Sequence, residues 1–517
     1  VLFRSNEVLT YHYERHYERD ETDPRIQHAL TLEVDEFGNV LRSAAIGYGR
    51  RQLDPKLSPA DQARQAQILI TYTENGVTKD HDTDNAAIDR GDDYRIPLPC
   101  ESRTYELTGV IEWQDDYPTA LEKYFGPKDR ARFTFDEIRD AGTKAFPIDY
   151  EKDPTPGQLE KRLIEHVRTY YRRNDLSGPL PLGKLQSLAL PFESYKLAFT
   201  PGLISEVYGL RATDDMLANE GRYVHTEDDT TWWIPSGRVF FSPTDDSAAQ
   251  ELAYARQHFF LPHRYRDPFH TPAVSTESFV AYDTYDLLVH ETRDALGNRV
   301  TIGERAWLLP DGMQLPEKRR NDYRVLQPAL VMDPNRNCSA VAFDALGMVV
   351  GSAVMGKPEE NPRPGDLLDD LFQRDLTQDQ IDRFMGNPRT ASANPNESVA
   401  TQVTHDLLGQ ATTRIVYDLD RFKRLGEPPF AATIARETHV SDLQGHSKSK
   451  LQTSFSYSDG FGREIQQKIQ AEAGPVPQRD ADGKIVVVDG QPVMTDGDFR
   501  PRWVGSGWTV FNNKGKP

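Results

Sequence analysis

Several clusters place chemically capable side chains close together in the chain. Asp80-His81-Asp82-Thr83-Asp84-Asn85 sets carboxylates at alternate positions, as the first half of a calcium loop does. Such a loop also needs Gly at its sixth position and Glu at its twelfth. Those positions hold Asn85 and Gly91, so a solvated acidic turn is the simpler reading. His12 and His16 have a zinc-like spacing, but the alternating Tyr11, Tyr13 and Tyr17 read as a strand. Two His four residues apart on a strand are too far apart for one metal. His263 and His270, with Arg264, Arg266 and Asp267 between them, offer acid/base groups with no neighbouring nucleophile. Adjacent acids at Asp115-Asp116, Asp245-Asp246 and Glu359-Glu360 suggest glycoside hydrolysis, which needs two opposed carboxylates. Neighbours on a strand point to opposite faces, so these pairs read as turns. Trp232 and Trp233 could stack on a sugar; packing, with one ring inward and one outward, is preferred. Nucleotide-binding Gly motifs, Gly-x-Ser-x-Gly and His-Glu-x-x-His do not occur.

The elements that must carry these residues read mainly as β. β-branched and aromatic residues alternate with polar ones at Thr31–Val34, Val40–Tyr48, Ile68–Thr73, Arg103–Val110, Thr231–Ile234 and Lys484–Val488. Ser58-Pro59 caps a helix over Asp61–Ile68. Leu159, Leu163, Ile164 and Val167 predict a helix over Gln158–Tyr171. Shorter helices are expected over Pro191–Phe199, Ser247–His258 and Thr377–Phe384. A proline-rich stretch near 356–396 reads as an excursion from a sheet carrying short helices.

The chain has 517 residues, 80 acidic against 61 basic, for a net charge of −19. That sign opposes nucleic acid and anionic lipid as partners. An apolar share of 37% predicts a thin core for the length, while 51 aromatic residues exclude disorder by composition. Cys100 and Cys338 are too few for a disulfide framework and read as buried free thiols. No run is long and apolar enough to span a membrane, and no signal-peptide layout is visible. The sequence reads as a piece of a longer protein.

One motif recurs. Asp35-Glu36-Phe37-Gly38, Asp294-Ala295-Leu296-Gly297, Asp344-Ala345-Leu346-Gly347 and Asp459-Gly460-Phe461-Gly462 share Asp-x-(Leu/Phe)-Gly between strand-like runs. A hairpin accounts for it: Asp accepts from nearby amides, Gly supplies positive φ, and Leu or Phe is expected to point back into the sheet as an anchor. The irregular separations exclude a solenoid of fixed period.

With Tyr457 ahead of Asp459, this motif resembles the tyrosine-aspartate repeat of Rhs proteins. Longer stretches are similar to the B component of bacterial Tc (insecticidal) toxin complexes: Tyr11–Arg19 with Thr31–Val40, Trp232–Arg238, Phe259–Phe269 and Arg502–Pro517. The resemblance implies a mainly β fold, a partial Rhs shell of β-hairpins with short inserted helices. Residues 1–280 would be the B-component middle region and 281–517 the start of the shell, with the helical insertion at 356–396. In that family the shell is completed by the C component, encloses C's toxic carboxy-terminal segment, and meets the channel-forming A component through a propeller that this sequence does not show. The family's self-cleavage site belongs to C, so no catalytic residue, metal or cofactor is carried over. The implied role is structural, in a secreted toxin, with no nucleic acid partner and no direct membrane insertion. Two rival readings are a secreted carbohydrate-binding or carbohydrate-active β-protein and another Rhs-type cell-surface toxin shell.

Overall fold

The computed structural model describes residues 6–12, 23–50, 52–78, 80–81, 95–114, 132–310, 312–369, 371–386, 399–445, 447–499, 502–511 and 515. The chain is mainly β, 38% strand and 16% helix, with antiparallel sheets and a few short helices. It divides into two compact units, Val1–Phe279 and Val280–Pro517.

In the first unit, strands Glu7–His12, Arg25–Val34, Val40–Tyr48, Leu69–Val77, Pro99–Thr108, Glu160–Tyr171, Pro191–Phe199 and Trp232–Pro235 follow one another across a sheet. Alternation decides which face is buried. Ile26, His28, Leu30 and Leu32 point inward from one strand, and Ala44, Ile46 and Tyr48 from its neighbour. Helix Phe135–Lys144 covers that face through Ile138 and Ala141. Thr134 and Glu137 form its capping box, a start signal that the sequence reading passed over. Gly142 lets the helix close on Tyr72, because a Cβ there would lie 2.2 Å from the ring.

Two predicted helices are strands. Glu160–Tyr171 pairs on one side with Pro99–Thr108 and on the other with Pro191–Phe199, which is itself the second misread segment. The inward residues of Glu160–Tyr171 include His166 and Arg168, whereas Ile164, assigned to a helical core, is exposed. Cross-strand ion pairs made burial of those polar residues tolerable and overrode the helical spacing. The helices at Pro59–Ala66, Ala248–Gln257 and Gln378–Gly386 form close to where they are predicted.

The second unit is an antiparallel meander: Val289–Arg293, Arg299–Ile302, Leu330–Met332, Cys338–Phe343, Val349–Met355, Thr413–Asp418, Phe430–Arg436, Leu451–Ser458, Glu464–Ala471 and Arg502–Gly505. Helix Gln378–Gly386 lies within the proline-rich stretch, and helix Val399–Leu408 follows beyond residue 396. Ile381, Phe384, Met385 and Leu408 pack on Val416, Phe430, Ala432, Ile434 and Phe455, so helices cover one face of these strands.

Candidate functional site: the aspartate turns and their rim

The four Asp-x-(Leu/Phe)-Gly segments fold alike. The backbone N–H of Asp35 donates to the carbonyl of Asn39, Asp294 to Asn298, Asp344 to Met348 and Asp459 to Arg463, at 3.0–3.1 Å. One carboxylate oxygen of each Asp accepts from the amide two residues on: Phe37 at 3.0 Å, and Leu296, Leu346 and Phe461 at 2.9 Å. The same oxygen accepts from the amide four residues on, in Asn39, Asn298, Met348 and Arg463. The Gly residues sit at φ 84°, 85°, 83° and 78°. The Asn298 side chain and the loop amides hold the Asp294 carboxyl below its ordinary range. For Asp35 burial acts upward, but the hydrogen bonds from Asn39, Phe37 and Gly38 prevail and lower it.

The expected anchor is not one. Phe37 is 41% exposed, Leu296 88%, Leu346 73% and Phe461 84%. The reason is local: with its amide bent onto the Asp carboxylate, this residue sits at the apex of the turn, off the pleat, and its side chain points outward.

The sequence motif also missed copies. Asp333-Pro334-Asn335-Arg336-Asn337 closes in the same way, with Asp333 N donating to Asn337 O at 2.9 Å, Asn337 N donating to the Asp333 carboxylate at 2.8 Å and Arg336 taking φ 72°. Asp480-Ala481-Asp482-Gly483-Lys484 does so through Asp482 and Lys484. The signal common to all six is an Asp facing a residue four positions on, without a fixed apolar apex.

At Gly347 the turn meets a neighbour. A Cβ there would lie 2.7 Å from Val325 Cγ1, whereas at Gly297 it would meet nothing within 4 Å. Both residues occupy left-handed backbone, where a side chain costs about 1–2 kcal/mol. Gly347→Ala should therefore lower stability by more than Gly297→Ala in urea unfolding, and equal losses would contradict the contact.

A meander sends successive turns to alternate ends of its sheet. The Asp344 turn, the connection from Asp418 to Phe430 and the Asp459 turn therefore share one end. Tyr417 Oη donates to Val349 O at 2.9 Å across the first junction, and Ser458 N donates to Pro429 O at 2.9 Å across the second. Along this end Leu346, Leu419, Phe422, Leu425 and Phe461 are all exposed. Buried Asp418 fixes the middle of the row by accepting two bonds from Arg424, at 2.9 and 2.8 Å, and one from Arg421 at 3.4 Å. Arg421 and Arg424 sit on the short helix Arg421–Leu425, which Gly426 ends at φ 68°.

Other predicted clusters have structural partners. Trp232 and Trp233 are both buried, which corrects the expectation of one ring outward. The two rings leave the strand on opposite faces, but both faces are covered. Trp232 packs against His225 with ring centroids 4.1 Å apart and the planes tilted by 41°, and Trp233 meets His166 edge-on at 4.7 Å with the Arg168 guanidinium 4.2 Å from its ring. Asp229 accepts from Trp233 Nε1 at 3.1 Å and from Arg168 at 2.8 Å. Burial raises its carboxyl, but bonds from Thr231, Arg168 and Trp233 leave it lowered.

Asp245 and Glu277 clamp Arg264 and Arg266 at 2.7–3.2 Å. His263 is packed against Tyr254, while His270 Nδ1 accepts from Thr276 N. Glu359 pairs with Arg336 at 2.9 Å. Asp115-Asp116, His16 and most of the Asp80–Gly91 loop lie outside the described residues. Among the described residues no group of three or more His, Cys, Asp or Glu could hold a metal, and no helix is long and apolar enough to cross a membrane. Cys100 and Cys338 are both buried, and burial pushes the Cys338 thiol up.

Residues 1–88, which hold the first Asp turn, match the family model of the insecticide toxin TcdB middle/C-terminal region. The chain is similar to Tc toxin B components. The resemblance carried by Tyr11–Arg19 and Thr31–Val40 is thereby borne out. This TcdB-like chain also aligns with the crystal structure of TcdB2–TccC3 at 20% identity and a TM-score of 0.47, over 99% of this chain and 21% of that one. The same complex without its hypervariable C-terminal region gives 19%, 0.47, 99% and 23%. A Photorhabdus luminescens Tc holotoxin pore gives 19%, 0.46, 98% and 22%. At these TM-scores the likenesses carry no argument about role, and the chain spans about a fifth of the length of those chains. No curated protein sequence matches the TcdB-like chain.

Proposed function

We propose that this chain is a structural, non-catalytic part of a Tc-toxin B component. It supplies antiparallel hairpins to a shell that the C component completes around C's toxic carboxy-terminal segment. Delivery would pass through an A-component channel contacted by other parts of B, and the assembly would be secreted. Residues 1–280 would be the middle region and 281–517 the opening of the shell, with 356–396 as its helical insertion.

The observation that supports this best is the exposed row Leu346, Leu419, Phe422, Leu425 and Phe461. Aligned apolar side chains at one end of a sheet mark a surface that gains from being covered, and strands at a sheet's edge leave backbone groups that further strands can pair. The carbohydrate reading loses its main support, because a sugar platform needs an open aromatic face and both Trp232 and Trp233 are buried.

The test is co-purification of the full-length protein with its C component. The parent should form a stable complex, and the triple variant Leu346→Asp, Phe422→Asp, Phe461→Asp should lose most of it while keeping the far-ultraviolet spectrum of a β protein. A full-length parent that stays soluble and shows no affinity for C would overturn the proposal.

A further inference from the structure

Two irregularities in neighbouring strands of the first unit meet at one place. Strand Glu160–Tyr171 carries an extra residue, Ile164, opposite the step from Thr104 to Tyr105. Strand Pro191–Phe199, its hydrogen-bonded neighbour, carries another, Ala198, opposite the step from Trp232 to Trp233. A bulge turns a side chain out of the regular pleat, and bulges are frequent beside binding sites. Both extra residues line the same cavity of about 290 Å³. Leu203 also lines it, immediately before a π-helical turn at Ile204–Tyr208, another geometry concentrated at functional sites.

The lining has a definite polarity. Its body is aliphatic, with Tyr150 as the one ring, and its polar members are Asp149, Glu165 and Thr200. It contains two carboxylates and no basic side chain. Each carboxylate pairs with a surface lysine outside the lining, Asp149 with Lys152 at 2.6 Å and Glu165 with Lys196 at 2.5 Å, and all four side chains are exposed. Exposed pairs of this kind contribute little and exchange readily. An ammonium group whose apolar body fills the cavity can therefore displace a lysine with small loss, while an anion would meet two like charges.

We propose that this cavity binds an organic cation in which a ring or aliphatic body is joined to an ammonium group. The body lies against Leu163 and Ile164, and the ammonium faces Asp149 and Glu165. The volume sits at the small end of the range for ligand pockets, which suits a body the size of one large side chain. The proposal does not depend on the shell reading.

Isothermal titration of the 517-residue chain with tryptamine, set against indole-3-propionate, tests it, since the two share a ring and differ in charge. Tryptamine should bind saturably, and indole-3-propionate about tenfold or more weaker. Glu165→Gln should weaken tryptamine several-fold, and Ala198→Trp, which fills the cavity, should abolish it. Glu165 is exposed, so its variant stays informative even where Ala198→Trp fails to fold. Absence of saturable tryptamine binding, equal affinity for the anion, or tryptamine binding unchanged by Glu165→Gln would overturn the proposal.

Discussion

Trp233→Ala is expected to destabilise the first unit by about 3–5 kcal/mol, the range for emptying a large aromatic site in a packed interior. The ring is 1% exposed and is held by three kinds of contact. His166 meets its edge, Arg168 lies over its face, and Asp229 accepts its Nε1 proton. Removing the ring also uncovers a polar cluster, because Arg168 and His166 both contact Glu101, at 3.4 and 2.7 Å. Trp233→Phe should fall between, keeping most of the apolar volume while losing the bond to Asp229. Urea unfolding followed by fluorescence measures both. A Trp233→Ala protein as stable as the parent, with a glycan affinity lost instead, would restore the sugar-platform reading.

Asp366→Ala should cost the second unit a comparable amount, about 3–5 kcal/mol, as expected when one partner of a buried charged pair is removed. The carboxylate is fully buried and accepts from Thr412 Oγ1 at 2.6 Å, His439 Nδ1 at 2.7 Å and Val440 N at 2.8 Å, with Arg436 Nε at 3.4 Å. Thr412 immediately precedes strand Thr413–Asp418, Arg436 ends strand Phe430–Arg436, and His439 and Val440 follow it, so one side chain ties the proline-rich stretch to the ends of two strands. Asp366→Asn keeps the shape and some acceptor capacity, and should cost less. A stability unchanged by Asp366→Ala would show that the stretch is held by its apolar helix contacts alone.

The β class was legible because alternation survives wherever one face is buried, as in Arg25–Val34. Strand Val40–Tyr48 runs over the residues predicted for it. The failures have a common cause. In Glu160–Tyr171 apolar residues happen to fall at helical spacing, and the inward positions are filled by His166 and Arg168, whose carboxylate partners lie far away in sequence. No local pattern announces such long-range compensation. The Asp turns were readable from Asp and Gly, whose roles are set within five residues. The direction of Leu296 or Phe461 was not, because it depends on how the apex leaves the sheet. The modest apolar fraction suggested a thin core, yet Phe384 and Leu408 pack over one face of the second unit's strands.

We propose that the second unit's apolar rim is a surface made to be covered. Hydroxyl-radical footprinting of Leu346, Phe422 and Phe461 tests it most directly, comparing the 517-residue chain with the full-length protein assembled with its C component. Rapid oxidation of all three is expected in the chain alone and strong protection in the assembly. Equal oxidation in both would contradict it.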